Sequence, residues 1–287
     1  SFTALLIRQD GIMLDIYLNR VHEITILLYA LSVLLYFYDF LQNNQKANKA
    51  AFWILSIVWF MQTIFLFLYI YEAGRFPILS LLEGIYFYVW ILITVSLALN
   101  WFLKTDFLIF FTNVLGFGLM VIQTFSPLQL DRLENRTQFI SELSVIHITV
   151  AILSYAAFAL SFVFSLLYLI QYDLLKRKKW GKRLVRLGDL AKLEQMAYRL
   201  AVIGLPLLLL SLILGLEFAY LVVSDIVWYD SKIIGSFACL IVYGIYLYMR
   251  VKKKYFGKTL AYWNIASFLL VLINFFLFGN TSAFHVF

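Results

Sequence analysis

The chain has 287 residues, of which 63% are apolar, 19% aromatic and only 14% charged, whereas charged residues make up roughly a quarter of a soluble domain, so a water-soluble globule is excluded. A net charge of +7 with a pI near 9.3 reads as insertion topology, because basic residues beside apolar spans orient a membrane protein; no nucleic-acid partner is expected. The single cysteine, Cys239, cannot form an intrachain disulfide and reads as a small buried hydrophobe.

In chain order, the first twenty residues, SFTALLIRQDGIMLDIYLNR, lack the long apolar core and small-residue cleavage site of a secretory signal. Met13 opens MLDIYLNRVHEI, which has the look of a natural start, so residues 1–12 read as an upstream extension and 1–20 as an outer segment. Crossing roughly 30 Å of hydrocarbon takes about 20 mostly apolar residues. Eight stretches qualify, about 21–41, 51–72, 79–101, 107–126, 143–171, 200–222, 233–249 and 259–278. Strands of a membrane barrel would alternate in polarity and be about half as long. The prediction is all-α: one integral membrane domain over 1–287, a polytopic bundle of eight transmembrane helices in a bacterial cell membrane.

Placing both termini outside puts 17 of the 23 Lys and Arg on the inner side, including Lys46, Lys49, the cluster from Lys176 to Arg199, and Arg250 to Lys258. Two connections are long enough to act, an outer loop over 127–142 and a basic cytoplasmic loop over 172–199. In the latter, Leu184, Leu187, Leu190, Leu193 and Ala197 recur at helical steps among basic residues. That pattern predicts an amphipathic helix on the inner leaflet, or a docking face for a soluble partner. The sequence holds no phosphate loop, Walker motif, zinc spacing or fixed-period repeat, and no catalytic role is expected.

All three histidines, His22, His147 and His285, fall at the outer surface in this topology. Imidazoles from two helices can hold haem iron on both faces. Trp228, Tyr229, Tyr220 and Phe284 share that edge, with Arg20, Arg75, Arg132 and Arg136 available to propionates. The competing reading is an ordinary interfacial belt of aromatic residues with solvated histidines. Ionisable groups inside spans are costly and mark candidate sites; Glu83 and Glu217 are the clearest, the latter expected to pair with a histidine or arginine, take up a proton, or line a polar cavity.

HITVAILSYAAFALSFVFSLLYLIQ, from His147 to Gln171, resembles the histidine-bearing span of the CcsA and CcmC group of cytochrome c assembly proteins. GLEFAYLVVSDIVWYDSK, from Gly215 to Lys232, lies without gaps on that group's tryptophan-rich outer loop, and the terminal SAFHVF falls where the family carries its second outer histidine. The resemblance covers roughly 80–287 and implies that His147 and His285 are axial ligands of a b-type haem, beside an aromatic loop holding Trp228, Tyr229 and Asp230, with His22 a third candidate. Where the family reads WGxxWxWD this chain reads VSDIVWYD, and Tyr248 or a neighbour stands where the family has an inner histidine. An intramembrane ligand for conducted haem is therefore missing.

The stretch from Met13 to Ser56 and the later FFTNVLGFGLM resemble the HemX branch of that family. This implies regulation of haem synthesis through the amount of glutamyl-tRNA reductase, a soluble partner at the cytoplasmic loops. The alternatives are export of haem or another hydrophobic metabolite, and haem handling in cytochrome c assembly.

Overall fold

The computed structural model describes residues 2–78, 81–103, 106–125, 142–178, 187, 189–222, 230–252 and 255–281. Their helices are α1 (Phe2–Gln42), α2 (Gln45–Ala73), α3 (Leu81–Leu103), α4 (Asp106–Phe125), α5 (Glu142–Lys176), α6 (Leu190–Val222), α7 (Ser231–Val251) and α8 (Lys258–Thr281). Each contains a stretch long and apolar enough to cross a membrane, so the eight expected spans are present. Local chemistry sets their ends. Asn44 caps α2 by accepting from the backbone N–H of Lys46 and Ala47. Gly74, at φ 63°, closes it with an N–H to the Ile70 carbonyl. On the outward face of α2, Trp53 and Tyr71 are exposed, and their separation of 18 positions spans about 27 Å of helix, matching the two interfacial belts of a bilayer.

Consecutive helices pack as antiparallel pairs, α1 with α2, α3 with α4, α5 with α6 and α7 with α8. Further contacts of α1 with α4 and of α5 with α8 close two four-helix groups, which meet where α3 and α4 touch α5. The Tyr88 hydroxyl crosses that seam to donate to the Tyr155 carbonyl at 3.1 Å. The spans of α5 and α3 are the most buried. One end of the bundle carries His22, His147 and Lys232, and the opposite end carries Lys176, Arg199 and Arg250; these are the histidine end and the basic end below.

The most extensive contact, α5 on α6, is a ladder. His147 Nδ1 meets the Ser211 carbonyl at 2.6 Å, Ser154 Oγ donates to the Gly204 carbonyl at 2.8 Å, and Ser161 Oγ donates to the Ala197 carbonyl at 2.7 Å. The rungs recur every seven residues on both helices, about 10.5 Å apart. A seven-residue repeat keeps one seam facing its partner along two nearly antiparallel helices. Small residues let the backbones approach, as membrane helix pairs require when lipid gives no hydrophobic drive. A Cβ built on Gly204 falls 2.6 Å from Phe158 Cε1, so the ring fills the space glycine leaves.

The basic connection departs from expectation. Residues 172–176 belong to α5 and residues 190–199 to α6, so the span of α6 starts ten residues earlier than predicted. The helical periodicity is real, but its apolar stripe does not lie on lipid. Leu187, Leu193 and Ala197 are buried with Phe107, Val163, Phe164 and Leu167, because the serine rung at Ala197 holds the start of α6 against α5. Leu184 lies outside the described residues. Arg250 on α7 adds a 3.3 Å ion pair to Glu194 at the same end.

Gly204→Ala is expected to lower stability by about 1–3 kcal/mol by overpacking Phe158. Gly118→Ala, where no atom lies within 4 Å of the added carbon, should be neutral or stabilising by up to about 1 kcal/mol. Thermal unfolding in detergent compares the two.

Candidate functional site

His147 is the last rung of the ladder at the histidine end, in the first two turns of α5. A carbonyl oxygen only accepts, so the 2.6 Å contact with Ser211 places the imidazole proton on Nδ1 and the lone pair on Nε2. The Ser211 hydroxyl reinforces the arrangement, with Oγ 3.2 Å from both Nδ1 and the His147 carbonyl. One turn further along α6, a Cβ on Gly215 would fall 2.6 Å from His147 Cε1, so the ring occupies a notch only glycine leaves open. A serine would suffice to complete the rung, as at positions 154 and 161. The imidazole adds a directed nitrogen, oriented by a backbone carbonyl as metal-binding histidines are. The donor chemistry and the glycine cradle thus fit an axial haem ligand.

Polar groups from two more helices lie at the same end. Asp230, 4% exposed, caps α7 by accepting from the Lys232 backbone N–H at 2.9 Å. The ammonium of Lys232 lies 6.0 Å from the Phe275 ring of α8 and within electrostatic reach of His147. Asn274 of α8 is fully buried and donates to the Tyr155 hydroxyl at 3.3 Å and to Ser236 at 3.2 Å. Among the described residues its Oδ1 is buried without a hydrogen bond. Aromatic faces line this corner: Tyr155 meets Phe275 edge-on at 5.9 Å, and Tyr88 lies 6.3 Å from it.

Of the other residues singled out in the sequence, His285, Trp228 and Tyr229 lie outside the described residues, as do Arg132 and Arg136. His22 sits in the first four-helix group. Its Nε2 is 3.5 Å from Thr124 Oγ1, and its ring centroid is 6.1 Å from Phe65 and 6.4 Å from Tyr86. These partners come from α2, α3 and α4, whereas those of His147 come from α6 and α7. Glu83 is engaged in a clamp: Arg75 donates to both carboxylate oxygens at 3.0 and 2.9 Å, and the Tyr69 hydroxyl donates to one of them at 2.6 Å. The hydrogen bonds to Glu83 raise the Arg75 pKa further above its ordinary value. That geometry ties the end of α2 to the start of α3 and engages Arg75, which the sequence had offered to a propionate.

Glu217 was expected to pair with a histidine or an arginine, take up a proton, or line a polar cavity. It is exposed, on a stripe of α6 with Leu210, Ile213 and Tyr220. Two residues past Gly215 is about 200° around the helix, so it faces away from His147. Lys232, Ser211, Gly215 and Asn274 were not singled out. The seven-residue spacing of His147, Ser154 and Ser161 against Ser211, Gly204 and Ala197 was the available signal for the first pair on α6; nothing in spacing marks Asn274.

With three histidines in the chain, nitrogen-15 NMR of histidine-labelled protein can assign each ring by substitution. His147 is expected in the Nδ1–H form. Gly215→Ala should push the ring off the Ser211 carbonyl and shift it towards a mixed or Nε2–H population; an unchanged signal would contradict the notch.

Comparison with known proteins identifies the family. The sequence model of the family described as Cytochrome C assembly protein matches residues 78–285, which include His147 and His285. "Protein HemX" of Bacillus subtilis (strain 168) is 55% identical over 275 residues, covering 96% of this chain and all of that protein. "Protein HemX" of Brevibacillus brevis is 41% identical over 92% of the chain and 97% of its own length. "Cytochrome c biogenesis protein CcsA" of Guillardia theta is 24% identical over 70% of the chain and 73% of its own. With two full-length relatives sharing one name and the family model spanning six of the eight helices, the chain belongs to the cytochrome c assembly protein family, in its HemX branch.

Proposed function

We propose that the protein is a regulator of haem synthesis in the bacterial plasma membrane, with both termini outside. In this reading it binds b-type haem at the outer face through His147 and His285 and controls glutamyl-tRNA reductase abundance from the cytoplasmic side. The observation that carries the haem part is the Nδ1 contact of His147 with the Ser211 carbonyl, which leaves Nε2 as the coordinating atom. Bound haem would supply an iron that two imidazoles saturate. The chain's own residues orient the ligand nitrogen and supply the aromatic walls. The regulatory part is supported by the HemX relatives and by the basic end, where Lys176 ends α5 and Arg177 and Lys178 follow it. Transport is less favoured, because α6 runs unbroken through Pro206 from Leu190 to Val222, whereas transporters use interrupted helices at the membrane midplane.

Reporter fusions test the orientation: Lys178 and Lys253 should report cytoplasm, Arg132 and the C-terminus the outer side. A cytoplasmic C-terminus would put His285 across the membrane from His147 and end the two-histidine site. Spectra test the ligands. Oxidised and reduced protein should be low-spin and six-coordinate. His285→Ala should leave a five-coordinate or haem-free protein. His147→Ser should do the same while keeping the fold, since serine completes the rung elsewhere. His22→Ala should retain the low-spin spectrum. Folded wild-type protein that takes up no haem when supplied with it would reject the haem reading. Neutral substitution of Lys178, Lys179, Lys182 and Arg183 should raise glutamyl-tRNA reductase levels with insertion unchanged; unaltered levels would remove the docking role.

A further inference from the structure

We propose that the first four-helix group binds a soft monovalent metal ion, Cu(I), between His22 of α1, Met61 of α2 and Met120 of α4. The contacts that join these residues form a closed ring. His22 Nε2 lies 3.5 Å from Thr124 Oγ1, and the Thr124 hydroxyl donates back one turn to the Met120 carbonyl at 2.8 Å. The Met120 sulfur lies 3.5 Å from the Gln62 amide nitrogen. Met61, next to Gln62 in the chain, has its sulfur 3.9 Å from Thr25 Oγ1, and Thr25 stands one turn along α1 from His22. Tyr86 closes the ring from α3: its hydroxyl donates to the Gln62 carbonyl at 3.0 Å, and its ring centroid is 6.4 Å from that of His22. Thr25 and Gln62 are 4% and 1% exposed, so the sulfur atoms beside them point into the group and not towards lipid.

The polar contacts of all three side chains are weak ones that a metal can displace. Thr124 spends its own proton on the Met120 carbonyl, so towards the imidazole it only accepts, at the long limit of a hydrogen bond. Coordination through Nε2 requires that the neutral ring carry its proton on Nδ1. A thioether is a weak acceptor, so little is lost when either sulfur turns to a metal. One imidazole and two thioethers make a neutral, soft set, which selects Cu(I). Among the described residues no three of His, Cys, Asp and Glu gather as a zinc site would need, and without an anionic ligand a buried site tolerates one positive charge better than two. Gln62 gives an independent sign. Its Oε1 is buried and, among the described residues, has no hydrogen bond; an acceptor dipole without a donor favours a cation beside it. Two of the three ligands come from α1 and α2, which precede the residues 78–285 that the family model matches. The site therefore belongs to the half of the chain that distinguishes this branch.

The test titrates purified full-length protein in detergent, free of a histidine tag, with Cu(I) under anaerobic reducing conditions against the chelator bicinchoninate. Wild type should withdraw a single Cu(I) from the chelator. Met61→Leu and Met120→Leu, which keep the volume and remove the sulfur, should each weaken binding about tenfold or more, as should His22→Ala. His147→Ser should bind Cu(I) like wild type. X-ray absorption of the loaded protein should show nitrogen and sulfur scatterers together. Wild type that leaves all Cu(I) with the chelator overturns the proposal, as does a Met61→Leu protein with wild-type affinity or a copper shell without sulfur. Loss of Cu(I) in His147→Ser would move the ion to the other group and overturn it too. If Met120→Leu fails to fold, the folded Met61→Leu protein decides by the same criterion.

Discussion

Three hydrogen bonds from α5 to carbonyls of α6 hold this molecule in register. Each comes from a side chain on the most buried helix and ends on the backbone of its neighbour. Lipid tails offer two helices no hydrophobic reason to associate, so close backbone approach and polar contacts must do it. Repeating the contact every seven residues aligns the pair along its whole length. His147 is one member of that series, and its ring geometry follows from the same spacing that places Ser154 and Ser161. The His147 imidazole is therefore oriented by the framework of the bundle, over a distance of two further rungs, rather than by a loop.

The two ends of the bundle are built by different means. At the histidine end, charges are held in tight local arrangements: the Tyr69, Arg75 and Glu83 clamp, the Asp230 cap, and Lys232 against an aromatic face. At the basic end, Arg250 pairs with Glu194 and lies over the rings of Tyr198 and Phe256, while Lys258 lies near Tyr172 and Tyr262. Cations over rings at that depth let long side chains bury their stems and keep the charged heads near water. Between the ends, buried polar groups pair mostly within one four-helix group, as Tyr29 with Asn113 and Asn264 with Ser161 and Ser165. The seam between the groups is crossed by the Tyr88 bond to Tyr155.

Most of the architecture was legible because a span announces itself by length and apolarity, and the eight apolar stretches correspond to the eight helices. The start of α6 was not, since Leu190, Leu193 and Ala197 carry the period of an amphipathic helix whether the apolar side meets lipid or protein. Period alone cannot choose between those surfaces; the serine rung at Ala197 does. His147 stood out because imidazole is rare in the chain and lies in a recognisable stretch. Glu83 and Glu217 stood out for a weaker reason, the cost of charge in a span. That cost is met by Arg75 in one case and by the outward face of a helix near its end in the other. Lys232 escaped notice because it was counted as topology, and only the fold reveals that it leans towards the bundle.

The Asp230 cap joins the chain preceding α7 to the site. The carboxylate that holds the first turn of α7 belongs to the residue retained from the family's loop pattern, and Lys232 sits in that turn. Were Asp230 drawn out of its capping position, the turn would lose an N–H partner and Lys232 its fixed height. A change of shape at the membrane surface would then be transmitted as a displacement of one positive charge relative to the His147 imidazole. A single carboxylate oxygen thus sets the height of that charge.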